Sequence, residues 1–233
     1  MATPTFLARL DNAIGEHAVY GHPFYKAWSA GHLSLSDIQE YARQYYHFEK
    51  AFPTFVSGVH SNTEDPETRH QLLLNLIEEE HGENNHPELW LRFAESLGLD
   101  RESVRSVELN DATKALLATF RKLTRDGNTL EGLAALYAYE SQIPENSRAK
   151  IDGLIRHYGI TSDDGLSFFR VHEEADEIHS RAEREHLAGL IRTEQDEEQA
   201  IESARVASIA IYNMLTGIDE ACKKQSKDRA LQS

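Results

Sequence analysis

His172-Glu-Glu-Ala-Asp176-Glu-Ile-His179 is the stretch on which the reading of this chain turns. It lies in a run from Leu166 to Leu187 that contains neither glycine nor proline, so a helix is expected there. At about 100° per residue, His172, Asp176 and His179 fall at i, i+4 and i+7 and share roughly 60° of arc on one helix face. Two imidazoles and a carboxylate converging from one helix suit a borderline divalent metal such as iron, manganese or zinc. The stretch Glu78-Glu79-Glu80-His81-Gly82-Glu83-Asn84-Asn85-His86 repeats the idea. Glu79 and His86 are seven residues apart and are expected on one face of one helix. Glu83 lies between them on that face, able to replace either ligand or to support them. With 39 acidic residues and 12 histidines in 233, one such pair arises readily by chance. The triple in residues 172–179 is more specific, and the two stretches together point to a site. Glu173, Glu174 and Glu177 are expected to point elsewhere.

Outward from these stretches the pattern is helical nearly throughout, with six prolines and no β-branched alternating runs. A first helix is expected over 4–18, with a break at Gly21-His22-Pro23. A short aromatic piece over 24–28 follows, ended at Gly31. Ser34 or Ser36 can cap the next helix with support from Glu40, and that helix runs to about Ser61. Its inner stripe is Tyr41, Tyr45, Phe48, Phe52 and Phe55, and Pro53 should kink it. Asp65-Pro66 starts a helix through the Glu79–His86 stretch, and Pro87 opens another that closes at Gly98. Further helices are expected from Asn110 or Asp111 to 126, over 129–142, over 146–158, over 166–192 and from 194 to about 222, with a frayed tail over 223–233. One all-α domain over 1–233 is the economical organisation.

The 129–142 helix carries Glu140 beside Leu133, Ala134, Ala135, Leu136 and Ala138. A carboxylate there either points to solvent or is paired inside, because burial without a partner costs several kcal/mol or forces protonation. Facing inward, it completes three histidines and three carboxylates: Glu79, His86, Glu140, His172, Asp176 and His179. Three ligands per ion leave open positions, which suits Fe(II) or Mn(II) redox chemistry better than a closed structural zinc site.

Composition excludes several classes. A net charge of −15 disfavours nucleic acid and anionic membranes. No run reaches the roughly 18–20 apolar residues that a membrane span needs, and the N-terminus does not read as a signal peptide. The single Cys222 cannot form an internal disulfide, so the cytoplasm is the expected compartment.

Several short motifs occur in order: His22-Pro-Phe-Tyr25, Glu78-Glu-Glu-His-Gly82, His86-Pro-Glu-Leu-Trp90, Tyr137-Ala-Tyr-Glu140-Ser-Gln-Ile-Pro144, Lys150, and His172-x3-Asp176-x2-His179. In this combination the chain resembles the family that includes the Chlamydia protein associating with death domains. The likeness covers about residues 5–220. It implies a haem-oxygenase-like seven-helix bundle, the fold of TenA-type thiaminases and pyrroloquinoline-quinone synthase C proteins. It further implies a dinuclear oxygenase, with two iron ions or an iron–manganese pair, that uses O2 and an external reductant to make para-aminobenzoate for folate. By that resemblance Tyr25 supplies the aromatic ring in a self-sacrificing reaction, Lys150 donates the amino group, and Tyr41 and Tyr139 assist electron or radical transfer. The reductant has no identity in the sequence, and a homodimer is expected from the fold.

Three rival readings stand beside this one. A dimetal oxygenase acting on a free small amine, amino acid or fatty acid shares the six ligands and makes Tyr25 dispensable. A metal-free binding or interaction module on the same fold would keep the carboxylates in structural ion pairs. A TenA-like hydrolase would need a cysteine nucleophile in the cavity, for which Cys222 is poorly placed.

Overall fold

The structure is a computed structural model that describes residues 5–231, leaving out the side chains of Glu174 and Ala230. Among the described residues there are eleven α-helices and no strand: α1 Phe6–Gly15, α2 Pro23–Ser29, α3 Leu35–Asn62, α4 Pro66–Glu80, α5 His86–Ser96, α6 Arg101–Arg105, α7 Asp111–Arg121, α8 Thr129–Glu140, α9 Ile143–Tyr158, α10 Asp163–Leu190 and α11 Glu194–Ala230. The all-α class expected from the sequence is found, and short pieces such as α2 and α6 bring the count above seven.

Local chemistry sets most boundaries. Ser34 caps α3 in a reciprocal box with Asp37, so Asp37 rather than Glu40 completes the cap. Asn128 and Glu131 do the same for α8, and Asn110 caps α7. Pro53 lies inside α3 without ending it. Pro144 sits in the first turn of α9, where its missing N–H costs nothing, and α8 stops at Glu140 as that proline requires. The last helix continues to Ala230 instead of fraying beyond 222, and α6 is a short helix that the sequence pattern did not signal. Residues 4 and 232–233 of the expected first helix and tail lie outside the described residues.

One expectation fails where it matters for the site. Glu79 and His86 do not share a helix. α4 ends at Glu80, the chain turns through Gly82 at a positive φ of 82°, and His86 opens α5. Such a turn favours glycine because an added Cβ is strained there. Glu83 falls in this exposed turn, and its carbonyl accepts a hydrogen bond from Arg92.

α8 is the innermost helix. Every residue from Gly132 to Glu140 is buried, as expected of a helix with apolar or small residues all round. It packs on α11, α10 and α3. Gly132 allows the close approach to α3, since a Cβ there would meet Val59 at 2.5 Å. The α3 stripe Tyr41, Tyr45, Phe48, Phe52 and Phe55 is buried and supplies one wall of the interior. α4, α5, α8 and α10 surround the other side and carry the acidic and imidazole side chains.

Candidate metal centre

Two groups of side chains meet between these helices. Glu79, His86 and His172 form one, and Glu140, Asp176 and His179 form the other. Within each group the potential ligand atoms lie within 4.8 Å of one another, and all six side chains are buried. α10 divides its three ligands between the groups, His172 to the first and Asp176 with His179 to the second. The His86 and His172 rings lie tilted to each other at 49°, with centroids 4.1 Å apart.

The charges in this interior require a cation. Glu49, Glu79, Glu140, Asp176 and Glu183 are each at most 4% exposed, while among the described residues Lys150 is the one buried lysine or arginine. Burying an ion costs several kcal/mol unless it is paired, so five carboxylates need more positive charge than Lys150 brings, and metal ions on the imidazoles would supply it in place of protons on His86 and His179. Burial first, and neighbouring carboxylates next, push Asp176 and Glu183 well above the usual range, and burial raises Glu140 as well. Glu79 Oε2, His86 Nδ1, Glu140 Oε2, Asp176 Oδ2 and His179 Nδ1 are buried without a hydrogen-bond partner. Glu79 Oε2 and His86 Nδ1 are 2.8 Å apart yet not aligned as a hydrogen bond. Two donor atoms that touch without bonding each other are what two ligands of one ion look like. The donor set of imidazoles and carboxylates fits two borderline divalent metals.

The imidazoles are oriented for ligation. His172 Nδ1 lies 2.8 Å from the Phe168 carbonyl, which can only accept. The proton is therefore on Nδ1, and the Nε2 lone pair faces the interior. Burial, then the His86 ring, holds His172 well below its ordinary pKa and hence neutral. Burial opposes charge on His86 and His179, but Glu79 outweighs it at His86 and Asp176 at His179, holding both up at about 9. Asn75 donates to Glu140 Oε1 at 2.8 Å and fixes that carboxylate.

Beside the first triad lies a packed cluster of aromatic rings around one buried amine. Lys150 Nζ sits 4.6 Å from the centre of the Tyr25 ring and donates to the Tyr41 hydroxyl at 3.0 Å. The Tyr25 and Tyr41 hydroxyls are 3.0 Å apart. Phe24 and Trp28 pack around them. Burial pushes Lys150 down to about 7, against the pull of Glu49, so its amine is substantially neutral near pH 7. Burial likewise raises the Tyr25, Tyr41, Tyr45 and Tyr139 phenols, which stay protonated. The Tyr41 and Tyr45 rings are 5.1 Å apart, the Tyr45 and Tyr139 hydroxyls 2.8 Å, and Tyr139 donates to Glu49 Oε1 at 2.6 Å. Glu49 Oε2 then stands 4.0 Å from His172 Nε2. Phenols and one carboxylate thus connect Tyr25 to the first triad.

All ten side chains singled out from the sequence are in this interior: six in the two triads and Tyr25, Lys150, Tyr41 and Tyr139 in the adjoining cluster. Glu83 is not among them. Glu173 and Glu177 face outward and pair with Arg148, whereas the side chain of Glu174 lies outside the described residues. Cys222 is buried near the Asp37 carbonyl and its thiol is pushed up to about 12 by burial and Asp37, the opposite of an activated nucleophile. Sequence reasoning missed Glu49 and Glu183. Glu49 is the one acid on the inward aromatic stripe of α3, and Glu183 extends the 172, 176, 179 spacing by four.

Comparison with known proteins agrees with this geometry. Residues 39–212 match the model of a family described as iron-containing redox enzymes. The chain is 40% identical over 229 residues to the 4-aminobenzoate synthase of Nitrosomonas europaea, covering 94% of this chain and 93% of that one. It is 40% identical over 210 residues to the 4-aminobenzoate synthase of Chlamydia muridarum, covering 90% and 88%. Among solved structures, a TenA homolog from Pseudomonas syringae superposes with a TM-score of 0.80 at 16% identity, covering 93% of each chain, a likeness of fold alone.

Proposed function

The chain belongs to the iron-containing redox enzyme family, and from that premise we propose that it is a 4-aminobenzoate synthase that takes the ring of its product from its own Tyr25 and the amino nitrogen from Lys150. The identity to two synthases over nine-tenths of the chain supports the product. One observation carries the self-supplied substrate: the Lys150 amine lies over the Tyr25 ring inside a packed interior, with Tyr41 hydrogen-bonded to both.

Glu79, His86 and His172 would hold one ion and Glu140, Asp176 and His179 a second, iron with iron or with manganese, and the pair would turn O2 into an oxidant with electrons from an external reductant. The rest falls to the polypeptide. A buried phenol gives up an electron cheaply only if its proton leaves too. The Tyr41 oxygen, 3.0 Å from the Tyr25 hydroxyl, is its nearest acceptor, and the Lys150 amine stands directly behind. From Tyr41 the line passes by ring contact to Tyr45, then by hydrogen bonds through Tyr139 to Glu49 Oε1, which accepts from the Tyr139 hydroxyl, and Glu49 Oε2 stands 4.0 Å from His172 Nε2. Phe24, Trp28 and Trp90 exclude water from that line, which strengthens every electrostatic interaction along it. A neutral Lys150 is the nucleophile that amination of a ring requires.

The reading includes one domain acting in the cytoplasm as a homodimer, without nucleic acid or membrane as partner. The lone cysteine supports the compartment and the acidic charge the absence of nucleic acid, and no helix of the described residues is long and apolar enough to cross a membrane. The decisive experiment follows the atoms. Protein made with ring-labelled tyrosine should release labelled 4-aminobenzoate on exposure to O2 and reductant. Tyr25→Phe and Lys150→Arg should each abolish product while two ions per chain remain bound. Full product from Tyr25→Phe would sink the self-supplied ring and favour an oxygenase acting on a free small substrate.

A further inference from the structure

Glu183 is a buried carboxylate without an assigned task. It lies in α10, four residues after His179 and seven after Asp176, on the face that carries both. It is 4% exposed, and neither of its oxygens has a hydrogen-bond partner. Its carboxylate abuts that of Glu140 and lies close to Asp176. Glu140 Oε2 and Asp176 Oδ2 are likewise unpartnered. Three acids this close cannot all remain charged in a dry interior unless a cation joins them. The Glu183 and Glu140 carboxyls are close enough to share a proton when no ion is bound, and a cation that both ligate would take that proton's place.

We propose that Glu183 is a fourth protein ligand of the ion held by Glu140, Asp176 and His179. This rests on the two-ion reading above and adds to it. Two divalent ions carry four positive charges, and the six side chains of the triads supply three carboxylates. Glu183 makes the fourth, which matches the charge of two ions in an interior that penalises net charge and leaves Glu49, the fifth buried acid, to Lys150 and Tyr139. Position agrees with charge. A cavity of about 80 Å³ reaches this side of the centre, lined among others by Thr68, Asn75, Glu78, His179, Glu183 and His186. It is large enough for a few water molecules, and so for a hydrated cation shedding its shell. Of the second site, Glu183 and His179 are the two side chains that line the cavity. Glu183 is therefore the buried carboxylate that an arriving ion meets before Glu140 and Asp176.

The test is anaerobic titration of the full chain with Fe(II) or Mn(II), read as ions bound per chain. Wild type should bind two. Glu183→Gln and Glu183→Ala should keep the first ion at wild-type affinity and bind the second about 100-fold more weakly or worse, at or beyond the limit of an outer-shell effect. The metal-free variants should also melt no lower than metal-free wild type, because one repelling carboxylate is gone, whereas the loaded variants should melt lower than loaded wild type. Crystals of Mn(II)-loaded wild type give an answer free of any substitution: anomalous scattering should place an ion within bonding distance of a Glu183 oxygen. Two ions bound by Glu183→Ala at wild-type affinity, or a loaded structure with Glu183 away from both ions, overturns the proposal and leaves the two-ion centre standing. A wild type that binds no ion overturns both.

Discussion

The two triads use the same donor types in opposite surroundings. Glu79, His86 and His172 look onto aromatic rings: Phe168 packs on His172 at 4.0 Å between centroids, and beyond Glu49 lie Tyr139, Tyr45, Tyr41, Lys150 and Tyr25. Glu140, Asp176 and His179 look onto more carboxylate and a cavity, with Glu183 inside and Glu78 reaching His179 Nε2 at 3.2 Å from the surface. The first side is where an oxidisable side chain is kept dry. The second is where a cavity reaches the ligands. The difference teaches that near-equivalent ligand sets acquire distinct tasks from what lies behind them.

The largest expected effect separates the triads directly. Glu79→Ala should empty the first and leave the second loaded, and Glu140→Ala should do the reverse. In both, 4-aminobenzoate should fall by about 100-fold or more, checked by elemental analysis beside product chromatography. Undiminished product from Glu140→Ala would mean that one ion suffices, and the comparison would dissolve.

A smaller effect sharpens the aromatic side. Lys150 has its folded-state pKa near 7, below the ordinary 10.5, because burial disfavours the ammonium. Between those values the unfolded chain carries a proton that the folded chain lacks, so stability rises as pH rises through that window. Lys150→Met should flatten the slope and be the more stable below it, by roughly a few kcal/mol, as read from urea midpoints at several pH values. A wild type and variant with parallel profiles would place a fixed charge at Lys150 and remove the neutral amine.

The smallest effect concerns the turn between α4 and α5. Glu83→Gln should change neither ions bound nor product, and stability should stay within about 0.5 kcal/mol. A lost ion would return Glu83 to the centre.

Those turn residues also mark the limit of what the sequence discloses. The 172–179 spacing was legible because one helix presents all three ligands, and periodicity is local information. Glu79 and His86 were picked out for the wrong geometric reason. Their seven-residue spacing suggested one helix, yet Gly82 interrupts it, and tertiary packing brings the two together from separate helices. Glu140 was ambiguous in sequence because an acid in an apolar helix can face either way. Its inward face follows from the total burial of α8, which no residue of α8 reveals alone. Glu49 and Glu183 did leave signals: the first interrupts an aromatic stripe, and the second continues a ligand repeat. In a chain with 39 acids such signals are faint. Tyr25 and Lys150 carried no local mark at all, since only the fold stacks an amine from α9 over a ring from α2.

Among the described residues α10 is the one helix that serves both triads. The placement of the two triads relative to each other is therefore tied to its pitch, about 5.4 Å for each turn, while α4, α5 and α8 bring single ligands to marks already drawn. Adding one residue between His172 and Asp176 would swing everything downstream by about 100° and misregister both positions at once. The same insertion beside Gly82 would merely lengthen a surface bend. Descendants of this chain are free to vary there, and bound to keep count along α10.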